Sequence, residues 1–117
     1  HVLTTTTMAT CSSSDFNKNL ALMKAATFQS DKDAFIKTLT QNYIFTVDQV
    51  SQLLKEFNHE SQKIDALELF ANTVSNPNAG DALGDIFTHS SNKTKAISKI
   101  KSFNPATAQQ IAVFRIE

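Results

Sequence analysis

Three stretches of this chain lie over one another: FQSDKDAFI from Phe28, HESQKIDAL from His59 and HSSNKTKAI from His89, with starts 31 and 30 residues apart. Each opens on an aromatic or imidazole side chain. A serine follows at Ser30, Ser61 and Ser91, a lysine at Lys32, Lys63 and Lys93, and an aliphatic residue at Ile36, Leu67 and Ile97. Downstream, Leu53 and Phe57 match Leu83 and Phe87 at the same pitch. A motif copied at about thirty residues is the mark of stacked helix-turn-helix units, each of which needs a neighbour to bury its apolar stripe. The serines are placed to cap the helices that follow them.

Apolar spacing between these markers is helical throughout. Phe16, Leu20 and Met23 mark a first helix with Ser14 or Asp15 as its cap, and Phe35, Ile36, Leu39 and Tyr43 mark a second. Val47, Val50, Leu53, Leu54 and Phe57 form one face of a third, opened by Thr46 and Gln49 in a capping-box pattern. Ile64, Leu67, Phe70, Ala71 and Val74 make a fourth, which Asn76-Pro77-Asn78 interrupts. A short fifth carries Leu83, Ile86 and Phe87, and a sixth carries Ala96, Ile97 and Ile100. A seventh starts at Asn104 and Pro105 and runs through Ile111 and Phe114. No segment alternates with period two, although Ile44-Phe45-Thr46-Val47 imitates a strand. The expected architecture is all-α: about seven short helices in three degenerate repeats of about thirty residues. Residues 1–14 read as a flexible Thr/Ser-rich leader and 15–117 as one helical-repeat domain.

With 117 residues and 12.9 kDa the chain makes a single domain. Eleven Lys and Arg offset eleven Asp and Glu, so the general basic field that nucleic acid requires is missing. Two glycines, Gly80 and Gly84, are too few for a glycine-rich phosphate cradle. A single cysteine, Cys11, excludes an internal disulfide and reads as an incidental tail thiol; Thr10 makes a poor lipid-attachment signal. No apolar run is long enough to span a membrane, and nothing in the residues identifies a compartment.

The segments FQSDK, FTVDQVSQLLKEF (Phe45 to Phe57) and ESQKIDALELF (Glu60 to Phe70) resemble the helical domain-of-unknown-function family numbered 4476. A similar domain occurs in the animal proline-and-serine-rich protein 1. The likeness covers about residues 15–101. It implies a compact helical domain and brings no established catalytic residue. His59 and His89 stand where the family tends to place Phe, which implies looser packing at those joints.

Chemistry is sparse. His59 and His89 sit at equivalent joints, too far apart to share one metal ion. No serine lies in a nucleophile elbow. Asp81 and Asp85, one turn apart, read as a solvated helix face. Asn92-Lys93-Thr94 fits a glycosylation acceptor. Residues 46–87 carry seven acidic side chains against two basic ones, whereas 88–117 carry five basic against one acidic. Opposed patches of this kind steer association. The candidate interaction surface is therefore basic: Lys32, Lys63 and Lys93 as a ladder for an acidic partner, with Lys95 and Lys99 one turn apart on the last repeat. The expected function is a non-catalytic protein-interaction or scaffolding module with no cofactor, no metal and a protein partner. The alternative is a helical carrier whose Phe-rich interior takes a small apolar ligand or lipid.

Overall fold

A computed structural model describes the backbone of residues 2–7, 9–106 and 110–115 and the side chains of residues 10–106. The chain is mostly helical, and its elements are best followed as extended segments leading into helices. Strand β1 (Val2–Thr7) precedes β2 (Ala9–Thr10), after which Ser12 caps α1 (Ser13–Ala25) by accepting the Asp15 amide at 3.2 Å. The cap lies two residues earlier than the first expected position. Helix α2 (Gln29–Thr40) follows, then β3 (Tyr43–Ile44).

Helix α3 (Val47–Leu54) opens on the expected capping box. The Thr46 hydroxyl accepts the Gln49 amide at 3.2 Å, and the Gln49 side chain accepts the Thr46 amide at 3.0 Å. Helix α4 (Glu60–Leu67) tightens into the 3-10 turn Glu68–Phe70 and stops where Ala71 turns extended and Asn72 takes a left-handed conformation with φ of 66°. Asparagine is among the few side chains that tolerate this region. Ala71 and Val74, expected on the helix, lie beyond its end.

Pro77 does not break the chain. It begins a 3-10 helix, Pro77–Ile86, at a position where a missing amide costs nothing. Helix α5 (Ser90–Lys101) completes the helical set. Among the described residues the expected seventh helix is not seen: residues 104–106 are non-helical, and Gln110–Arg115 forms β4, antiparallel to β1 with Val2 opposite Arg115. Ile111, Val113 and Phe114 are residues of high strand propensity, which the helical reading did not weigh.

The extended segments are tied side by side. Strands β2 and β3 run parallel, pairing Ala9 with Tyr43 and Thr10 with Ile44, and the Cys11 amide donates to Ile44 at 2.9 Å. Phe45 forms a parallel bridge with Val74: its amide donates to Thr73 and its carbonyl accepts from Ser75, both at 2.8 Å. The Val74 carbonyl in turn accepts the Ala106 amide at 2.8 Å. The segment dismissed as a false strand, Ile44-Phe45, is thus the middle of a small backbone ladder. The leader reading also changes for residues 9–12. There the backbone is paired, Cys11 is buried, and its carbonyl accepts the Gln49 side chain at 2.9 Å.

Around this ladder the core closes on Phe45, Phe70, Met23, Ile36, Leu53, Leu54, Leu67, Leu83 and Ile100, all fully buried. Phe45 and Phe70 meet edge to face with centroids 5.5 Å apart. Among the described residues no helix is long and apolar enough to cross a membrane.

Candidate interaction surface

The helices that start after Phe28, His59 and His89 use those residues as N-caps, without a side-chain hydrogen bond in any of them. Ser30, Ser61 and Ser91 therefore occupy the second helical position and do not cap. The three cap side chains are all exposed. Imidazole in place of phenyl at His59 and His89 consequently loosens no packed joint.

Two members of the lysine ladder point inward. Lys32 and Lys63 hold the same position in their helices, and both reach the end of α3. The Lys32 ammonium donates to the Glu56 carbonyl and lies 5.8 Å from the Phe57 ring centroid. The Lys63 ammonium donates to the Phe57 carbonyl at 2.9 Å. Both carbonyls lie in the turn that follows α3, where the negative end of the helix dipole also favours cations. Lys32 is buried as a result. Lys93 instead lies exposed along Gly84, whose ideal Cβ position is 3.4 Å from the Lys93 Cδ.

Lys95 is exposed, but Lys99 forms a salt bridge with Glu68, and Lys101 pairs with Asp81 at 2.8 Å. The opposed charge patches thus answer one another within one molecule, across the α5 face. The five lysines do not form one open surface: two cap α3, one is paired, and Lys93 and Lys95 remain on α5.

Glu60 ties α4 to the start of α5. It accepts the Thr88 hydroxyl at 2.6 Å, the Thr88 amide at 3.1 Å, the His89 amide at 3.4 Å and the Asn92 side chain at 3.1 Å. The Thr88 hydroxyl bond, helped by the Thr88 amide, Asn92 and the His89 amide and opposed by desolvation, holds its carboxyl at about 2 against an ordinary 4.5. Because the folded value is depressed, the stabilisation is complete above about pH 4.5 and is lost as pH falls towards 2. Glu60→Gln is expected to lower the thermal midpoint at neutral pH and to flatten its decline between those limits; a variant curve parallel to that of the parent would contradict the knot. The same bond engages the amide of Asn92 in the glycosylation triplet, half buried in the first turn of α5.

Burial also settles Cys11. Desolvation first, and Asp15 second, raise its thiol above the ordinary value, with an Asn19 hydrogen bond opposing. A buried neutral thiol is a core side chain rather than a reactive one. Among the described residues no three His, Cys, Asp or Glu converge as metal ligands, and no cavity of the kind an apolar-ligand carrier needs is found.

What the surface does present is apolar. Leu22 is 59% and Phe28 67% exposed, the two large hydrophobic side chains so placed among the described residues. On α1, exposed Lys18, Ala21, Leu22 and Ala25 fall at three- and four-residue spacing on one face, and Phe28 continues it at the α1–α2 corner. Sequence reasoning used Phe28 as a packing joint and passed over Leu22. The signal was available at the equivalent positions, where histidine stands twice and a buried site would be unusual.

A family model described as Domain of unknown function (DUF4476) matches residues 10–112. No curated protein and no solved structure matches the chain.

Proposed function

The chain belongs to the DUF4476 family, and from that premise we propose that it is a non-catalytic protein-interaction module, built from three copies of one unit. Each unit is an extended segment, a polar cap at Ser12, Thr46 or Asn76, a helix, an aromatic or imidazole cap and a second helix. Stacked units of this kind offer extended outer faces for contact. The observation that carries the reading is the exposed Leu22–Phe28 corner: among the described residues the other large apolar side chains pack inward or lie partly covered. Leaving two such side chains in water is unfavourable by about 1.5–3 kcal/mol each relative to burial, a cost that contact with a partner recovers.

The test is affinity purification of the full chain from the cells that express it, in parallel with an L22S/F28S variant. A protein retained by the parent and lost with the variant, at unchanged thermal stability, supports the reading. An identical set of proteins on both would overturn it.

A further inference from the structure

We propose that the Leu22–Phe28 corner docks a short acidic amphipathic helix. This rests on the interaction reading above and adds the chemistry of the occupant. Two features of the corner select it.

The first is area. Exposure of 59% for Leu22 and 67% for Phe28 leaves on the order of 250 Å² of large apolar side chain available, on the usual scale for aromatic and aliphatic groups. Ala21 and Ala25 widen the strip without deepening it. A stable pair of globular proteins needs about 800 Å² on each side. The strip is therefore too small for a self-standing dimer and fits two or three turns of helix, which contact such a surface through side chains at i, i+3 or i+4, and i+7.

The second is charge. Lys18 lies on the strip one turn before Leu22, and Lys24 stands beside it with 60% of its side chain exposed, held only loosely by Glu56 at 3.8 Å. The acidic groups nearby are otherwise occupied or displaced. Asp15 is half buried beside Cys11, and Asp31, exposed three residues after Phe28, lies in the first turn of α2, where the helix dipole offsets it. Glu56 has 22% of its side chain exposed. The rim along α1 is thus positive, and it favours carboxylates flanking the apolar anchors while repelling a basic segment.

The experiment titrates the full chain with three synthetic helical peptides and follows backbone amide shifts by NMR. The first carries Leu and Phe anchors one turn apart, flanked by Glu. The second has the same anchors flanked by Lys, and the third the same composition as the first with the anchors scattered. The first is expected to saturate, with shifts confined to α1 and the start of α2. L22S/F28S should weaken it by about tenfold or more, as for loss of a central anchor. K18E/K24E and raised salt should weaken it by about two- to fivefold. Equal or tighter binding of the Lys-flanked peptide at the corner would overturn the acidic chemistry while leaving the interaction reading intact. Equal binding of the scattered peptide would show charge alone and overturn the amphipathic requirement. No shift at the corner with any peptide overturns the proposal. Vesicles containing phosphatidylserine form a separate arm: attachment lost with L22S/F28S, with none of the peptides bound, would assign the corner to a membrane surface instead.

Discussion

Phe70→Ala is expected to lower the unfolding free energy by about 3–5 kcal/mol, a third or more of what holds a domain of this size together. Phe70 is fully buried, and its ring meets Phe45 at 87°. It ends the 3-10 turn that closes α4, where its carbonyl accepts both the Thr73 amide at 3.0 Å and the Thr73 hydroxyl at 2.8 Å. The ring therefore bridges two levels of structure, the helix end and the extended segment at Phe45. Truncation removes the transfer energy of a phenyl group, leaves a void that fully buried neighbours cannot fill, and breaks an aromatic pair worth about 0.5–1.5 kcal/mol in addition. Urea unfolding followed by two optical probes gives the number. Phe70→Leu should cost less than alanine, and a double-mutant cycle with Phe45→Leu should show coupling. A loss below about 1 kcal/mol for the alanine variant would mean that the ring is not wedged at this junction.

Gly80→Ala should destabilise the chain and Gly84→Ala should not. Both glycines lie in the 3-10 helix Pro77–Ile86, four residues apart, facing α5. A methyl group at Gly80 would sit 2.4 Å from the Ile100 Cγ2. Ile100 is fully buried and β-branched, so its methyl cannot rotate away cheaply, and the helices must part. Replacing glycine by alanine within a helix gains up to about 1 kcal/mol, whereas overpacking a core costs about 1–3. At Gly80 the clash wins, for a net loss of about 1–2 kcal/mol, and Gly80→Val should lose more. At Gly84 the nearest atoms are methylenes of exposed Lys93 at 3.4 and 3.5 Å, which yield readily, so alanine there should be neutral or slightly stabilising. Ile100→Leu, which lacks the offending methyl, should recover part of the Gly80→Ala loss. Equal effects at the two glycines would contradict the close approach of the two helices.

The elements that were legible in the sequence are those fixed by local rules. Thr46 and Gln49 announce α3 because both halves of the capping box lie within four residues, and Val50, Leu53 and Leu54 share the buried face that their spacing demands. What escaped is decided at long range. Ile44 and Phe45 take only a few residues of extended chain, too short to alternate, and their partners Cys11, Thr73 and Ser75 lie about thirty residues away. Val74 continues the spacing of Ile64, Leu67 and Phe70, but extended Ala71 and left-handed Asn72 turn the chain off the helix before it. An asparagine just past an apolar stripe is a usable stop signal, and it went unused.

The placement of the candidate lysines escaped the sequence for a related reason. A lysine among helical residues is ordinarily a solvated side chain. Lys32 and Lys63 turn inward because the carbonyls of Glu56 and Phe57 arrive from a different helix, which spacing alone does not reveal. Charge counting met the same limit, since Glu68 and Asp81 neutralise Lys99 and Lys101 across the α5 face. The exposed corner follows the opposite logic: Phe28 looks like core by composition, and only its equivalence to His59 and His89 marks it as an outside position.

The backbone ladder that joins the extended segments is tested most directly by amide hydrogen exchange, resolved residue by residue. The amides of Cys11, Phe45 and Ser75 lie outside every α-helix, yet each donates to a segment distant in the chain, to Ile44, Thr73 and Phe45 respectively. They are predicted to exchange as slowly as those of Leu53 and Leu54 in α3, opening only with global unfolding. Exchange of all three at the rate of exposed turns would contradict the ladder and, with it, the core that closes around it.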